Sequence, residues 1–166
     1  MAQALYLKER LQLFLESNGR GLPVVLGGDF NSSPLSSVMS IMHSEDILES
    51  GGGESVFRIP ADATEQQAKY YNLIARLYRS LRDEGKLSLV DNNLTSAYNK
   101  YNAGCNSRLE SQPAFTNWSV SFKGTMDHIF YNDKLEVREL LELPSAKEVC
   151  PNKLFPSDHF RIEAKF

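Results

Sequence analysis

Three short polar clusters carry residue types that can do chemistry: Asp29-Phe30-Asn31, Asp127-His128 and Ser157-Asp158-His159. A carboxylate can accept a proton from water or hold a metal ion, and a carboxamide can donate to a phosphate or orient a nucleophile. The first cluster closes the stretch Pro23–Pro34, PVVLGGDFNSSP, whose Pro23-Val24-Val25-Leu26 reads as a short strand buried on both faces of a sheet. Gly27-Gly28 lets backbone approach a ligand closely. Along an extended segment residues two apart share a side, so Asp29 and Asn31 are expected to point together, with Phe30 turned away. The same composition suits an Asx-type turn, because Asp, Asn, Ser and Pro are turn residues. Taken singly, such clusters are structural more often than catalytic: Asp158 could cap a turn and His159 could stand on the surface. Their joint order is far more specific: D-x-N, then Asp in an apolar strand, then S-D-H just before the last strand. Strand ends are where sites are built on a sheet.

The elements that must position these clusters read as α/β. Residues 4–17 suit a helix with Leu7, Leu11, Phe14 and Leu15 on one stripe and Lys8, Glu9 and Arg10 opposite, stopped at Asn18-Gly19. Ser36 to His43 suits a second helix with Leu35, Val38, Met39 and Met42 on its apolar side; His43 reads as a surface residue. The Ser50–Gly53 run is a loop, residues 56–59 a short apolar piece, and Thr64 an N-cap for a long helix over 65–83. That helix carries Tyr70, Leu73, Ile74, Leu77 and Leu81 on one face, and Lys69, Arg76, Arg79 and Arg82 on a solvated one. Residues 86–94 form a short apolar segment, and 95–113 read as irregular. Strands are expected at 115–118, 125–131 and 135–143, a turn over 119–124 and a loop over 144–155. The last segment, FRIEAKF, alternates Phe160, Ile162, Ala164 and Phe166 with Arg161, Glu163 and Lys165, as a half-buried terminal strand does.

The whole is 166 residues, 42% hydrophobic and 23% charged, an ordinary globular mixture long enough for one domain with a sizeable core. A net charge of −3 supplies no general basic field, so a polyanion would need a local patch or a metal. Cys105 and Cys150, with no signal peptide before them, read as reduced thiols in the cytoplasm or nucleus. No stretch is long and apolar enough to span a membrane.

Three motifs, GGDFN (27–31), MDHIF (126–130) and PSDHF (156–160), resemble the endonuclease/exonuclease/phosphatase superfamily, the DNase I-like fold. Within it FTNWSVSFKGTMDHIFY (115–131), LELPSAKEV (141–149) and AQALYLKERLQLFL (2–15) are similar to the deadenylase group of CCR4, Nocturnin, Angel and the 2′-5′ phosphodiesterase. The resemblance implies a two-sheet sandwich flanked by helices, and Mg²⁺-dependent (or Mn²⁺-dependent) phosphodiester hydrolysis, 3′-to-5′ on poly(A) or oligoadenylate RNA. It also implies membership of a larger deadenylation complex. It assigns Asp29 to activating or positioning the attacking water and Asn31 to the scissile phosphate and the adjoining base or sugar. Asp127 would orient His159, and His159 would stabilise charge on the transition state. Asp158 would hold the divalent ion, with Asp29 as a further metal carboxylate, and the Phe122 ring would pack on a substrate base. His128 stands where the family usually has Tyr and reads as structural; Trp118 likewise replaces a Tyr.

One departure shapes the reading. The family's first half carries the Glu that is its principal magnesium ligand and a further His, and none of Glu9, Glu16, Glu45 or Glu49 sits in a comparable context. Residues 1–166 are therefore expected to be the C-terminal part of one such domain, a weak nuclease alone because Asp29 and Asp158 make a poor magnesium site. The alternatives are a catalytically impaired piece that acts only by binding, and another phosphodiesterase of the same superfamily.

Overall fold

The structure, a computed structural model, describes residues 2–43, 62–83, 94–101, 111–143 and 149–166. The expectations for 50–53, 56–59, most of 86–94 and Cys105 lie outside the described residues. The chain forms two compact units, residues 1–22 with 40–93, and residues 23–39 with 94–166.

In the first unit, helix α1 (Ala2–Asn18) ends where expected: Gly19 takes φ 126° and its N–H donates to the Leu15 carbonyl at 2.8 Å, an αL cap suited to glycine. Its buried residues are Ala4, Leu5, Lys8, Gln12 and Leu15, whereas Phe14 is exposed. The expected stripe is thus rotated, and Lys8, expected in solvent, is only 2% exposed. The reason is polar. The last carbonyls of a helix lack partners, and the Lys8 ammonium donates to Ile41 and Met42 O at 3.0 and 3.3 Å, at the end of helix α2 (Ser37–Met42). Burial lowers the Lys8 pKa to about 8.

Helix α3 (Glu65–Asp83) begins at a capping box. Thr64 N–H and Oγ1–H donate to Gln67 Oε1 at 2.8 and 3.0 Å, and Gln67 N–H returns to Thr64 Oγ1 at 3.3 Å. Ile74 and Ala75 are its buried residues among those described, while Tyr70 and Leu73 of the expected stripe are exposed.

The second unit is built on an antiparallel sheet of order β1-β5-β2, with β1 Val25–Asp29, β2 Thr95–Ser96 and β5 Asp127–Tyr131. The β1–β5 register runs from Val25↔Tyr131 to Asp29↔Asp127. Helix α4 (Ala97–Tyr101) follows β2 directly, so the stretch read as irregular is partly regular. Strands β3 (Asn117–Trp118) and β4 (Lys123–Gly124) form a hairpin, and β6 (Glu139–Leu140) pairs with β7 (Ala164–Lys165). The last two are shorter than the alternation suggested, although Arg161, Glu163 and Lys165 are exposed and the residues between them at least half-buried.

Strand β1 departs from the buried strand expected of it: Val24 is buried but Val25 is 52% exposed. Among the described residues it has a neighbouring strand on one side only, and its odd-numbered face opens on a cleft lined by Val25, Gly27, Ile129, Ile162, Ala164 and Phe166, with Asp127 at one end. The even-numbered face is packed, with Phe30, His128 and Phe130 in mutual ring contact at 5.2–5.9 Å. Beneath β3, Phe115, Cys150 and Phe160 make a separate core joined by half-buried Trp118, Leu143 and Phe155.

Candidate active site

Two chain crossings build the site within the second unit. In the first, the antiparallel register sets Asp29 at the end of β1 opposite Asp127 at the start of β5. Beyond Asp29 the chain leaves the strand at once. Asn31 adopts φ 47°, and its backbone N–H and Nδ2 donate to Asp29 Oδ1 and Oδ2 at 2.8 and 3.3 Å. This is an Asx turn, a conformation asparagine tolerates better than most residues. Asp29 and Asn31 are therefore neighbours through a turn, and the strand alternation expected for them does not continue past Asp29. His128, 2% exposed, holds the next residue, its Nε2 lying 2.8 Å from the Ser32 carbonyl. Burial pushes its pKa down, against the opposing pull of that bond and of Asp127 and Asp29, so a structural histidine is what the sequence expected here and what the packing favours.

In the second crossing, residues 158–160 run antiparallel along 116–118. Trp118 N–H donates to Asp158 O and Phe160 N–H to Thr116 O, both at 2.8 Å, with an isolated bridge between Asn117 and His159. This brings His159 Nδ1 to 3.0 Å from Asp127 Oδ2 and 3.2 Å from Oδ1. The pair is partly shielded, with the Asp127 side chain 14% exposed and that of His159 36%. Burial pulls the His159 pKa down most. The hydrogen bond to Asp127 and the charges of Asp127, Asp29 and Asp158 together outweigh it, and the pKa sits above the ordinary histidine value. All three aspartates thus act on one imidazole. Asp158 is steered separately, its Oδ2 3.4 Å from Asn117 Nδ2, and Ser157 Oγ accepts from the His159 N–H at 3.0 Å.

Two residues in this arrangement had no role assigned from sequence. Thr116, fully buried, accepts from the N–H groups of Met126 and Asp127 at 2.9 Å each and donates to Asp127 Oδ2 at 2.6 Å. Asn117 is 8% exposed beside Asp158. Their only sequence signal was polar residues next to Phe115 in a segment otherwise read as a strand, which does not say what they hold. Phe122 is 40% exposed on the hairpin, its ring lying over Gly124, which pairs with Asn117.

Aspartate oxygens are the donors a hard divalent ion takes. Among the described residues, however, no three of His, Cys, Asp and Glu converge on one point.

The family model described as Endonuclease/Exonuclease/phosphatase family matches residues 2–159. A probable CCR4-Not complex 3′-5′-exoribonuclease subunit Ccr4 from Vairimorpha ceranae is 35% identical over 106 residues, covering 54% of this chain and 22% of that protein. The CCR4-Not complex 3′-5′-exoribonuclease subunit Ccr4 of Schizosaccharomyces pombe is 31% identical over 151 residues, 87% of this chain and 18% of its own length. Human 2′,5′-phosphodiesterase 12 is 26% identical over 148 residues, 86% and 19% respectively. The chain spans between 18% and 37% of the length of such curated relatives. Among the described residues no helix is long and apolar enough to cross a membrane.

Proposed function

Because this chain belongs to the endonuclease/exonuclease/phosphatase family, we propose that it is the C-terminal part of one such domain and carries half of a CCR4-type 3′-to-5′ exoribonuclease site for adenosine-rich RNA. The observation that carries the reading is the Asp127–His159 hydrogen bond beside the Asp29–Asn31 turn. Asp127 fixes the imidazole with Nδ1–H inward, leaving Nε2 to face a phosphoryl oxygen. The raised pKa favours the imidazolium, the form that stabilises negative charge developing on phosphorus. Asp29 is the carboxylate that orients the attacking water. Asn31 Nδ2, with one N–H on Asp29, has a second for the phosphate. Phe122 offers a ring to a neighbouring base, a sequence-tolerant contact suited to single-stranded RNA. A Mg²⁺ or Mn²⁺ ion held by Asp158, Asp29 and the substrate would supply Lewis-acid polarisation of the phosphate.

The test is cleavage of 5′-labelled oligo(A) by the chain and by the longest natural form that contains it, with Asp29→Asn and His159→Ala in each. A stepwise 3′-to-5′ ladder, lowered by about 10²-fold or more in each variant, is expected. Near-wild-type cleavage by either variant refutes the role given to that residue. A stepwise ladder from 2′-5′-linked oligoadenylate alone would instead favour the phosphodiesterase relatives.

A further inference from the structure

The hairpin that carries Phe122 has two faces with different occupants. Trp118 pairs with Lys123, and there the Lys123 ammonium lies 3.5 Å from the centre of the Trp118 ring and 4.5 Å from that of Phe115. This cation–π contact holds one face down on the aromatic core. The other face belongs to Asn117 and Gly124, which are directly opposite, and to Phe122, two residues before Gly124. A Cβ at position 124 would fall 2.7 Å from Phe122 Cζ, 3.2 Å from Cε1 and 3.6 Å from Cε2. The ring thus occupies the space that any other residue type at 124 would fill. Gly124, under the ring, is the cross-strand partner of Asn117, whose amide approaches the Asp158 carboxylate.

We infer that Gly124 is the positioning residue for Phe122: the missing side chain at 124 lets the ring lie over the strand backbone there, opposite Asn117, with a face free to stack on a base. This rests on the RNA reading of the preceding subsection. The obstructing atoms are the far end of one half-exposed side chain rather than backbone. A methyl at 124 therefore swings the ring aside and leaves the hairpin intact. Gly124 O also accepts the Thr116 N–H at 2.9 Å, so the strand that seats the ring is tied to the residue that holds Asp127.

The experiment titrates single-stranded oligo(A) containing 2-aminopurine, whose fluorescence is quenched on stacking, with wild-type chain, Gly124→Ala, Phe122→Ala and the double variant. Urea midpoints and the Gly124 Hα chemical shift, moved by the ring current of Phe122, are measured in parallel. The expected result is an Hα shift lost in Phe122→Ala and about 5- to 150-fold weaker, unquenched binding in both single variants, the loss of one stacked base. The double variant should bind no more weakly than Phe122→Ala alone. Wild-type binding and quench in Gly124→Ala, with binding lost in Phe122→Ala, overturns this inference and leaves the RNA reading standing. Wild-type binding in Phe122→Ala, or no quench with the wild-type chain, overturns the base-contact reading and the inference with it. Additive losses in the double variant, or unfolding of Gly124→Ala, overturn the inference as well, since the glycine would then act other than through a movable ring.

Discussion

Replacing Thr116 by Val tests how the Asp127–His159 pair is held. Valine matches threonine in shape, so packing is preserved while the hydroxyl goes. Three hydrogen bonds go with it: two received from the Met126 and Asp127 N–H groups and one given to Asp127 Oδ2. The site is fully buried, so water cannot replace them. The two stranded N–H groups cost about 1–3 kcal/mol each, offset by roughly 1 kcal/mol for the added apolar burial, so Thr116→Val should destabilise the second unit by about 1–5 kcal/mol, with about 3 kcal/mol the central expectation. Thr116→Ser keeps the hydroxyl and loses one buried methyl, about 1 kcal/mol. The assay is urea unfolding followed by the fluorescence of Trp118, the single tryptophan, whose N–H donates to Asp158 O in the same crossing. A midpoint shift of about 1–2 M for Val and under half of that for Ser is expected, with unchanged slope. The variant also removes a donor that competes with His159 for Asp127, so the His159 pKa should rise further. A Val variant within about 1 kcal/mol of wild type, or a Ser variant as damaged as Val, would refute the claim that one hydroxyl organises this crossing.

Other expectations follow from the same geometry. Asp127→Asn removes the nearest charge that raises His159 and leaves only a neutral acceptor for its Nδ1–H, so its pKa, read by NMR titration, should fall, and the alkaline limb of any cleavage profile should move to lower pH; an unmoved pKa would exclude Asp127 as its cause. In stability, a raised histidine pKa contributes fully below the unfolded value and is lost as pH rises through the folded one, so the wild-type advantage over Asp127→Asn should shrink on going from acid to alkaline pH. Lys8 has the opposite displacement: between pH 8 and its unfolded value of 10.5 the unfolded chain binds the extra proton, so the first unit should gain up to about 3 kcal/mol over that range. Lys8→Met should abolish that gain, and a flat profile in wild type would refute the burial argument. Calorimetric titration of Mg²⁺ into the chain should give binding no tighter than millimolar, weakened again by Asp158→Asn; sub-micromolar binding would reveal a ligand set that the described residues do not contain.

The elements set by local chemistry were legible without a structure. The Thr64 cap and the helix to Asp83, the glycine stop at Gly19, the β5 segment and the alternation of the last seven residues all depend on neighbours within a few positions. The order of the three clusters, D-x-N, D-H and S-D-H, is likewise a matter of residue type along the chain. What tertiary structure decided was everything set by partners far along the chain. Lys8 is inside because two carbonyls 33 and 34 residues away need a donor. Asn31 meets Asp29 through a left-handed turn that strand periodicity does not anticipate. Thr116 looks like any strand threonine until β5 arrives to present two N–H groups and a carboxylate. The His159 imidazole acquires its raised pKa only when residues 158–160 lie along β3, 32 positions from Asp127, because electrostatic and hydrogen-bond energies depend on distance in space and not on separation in sequence.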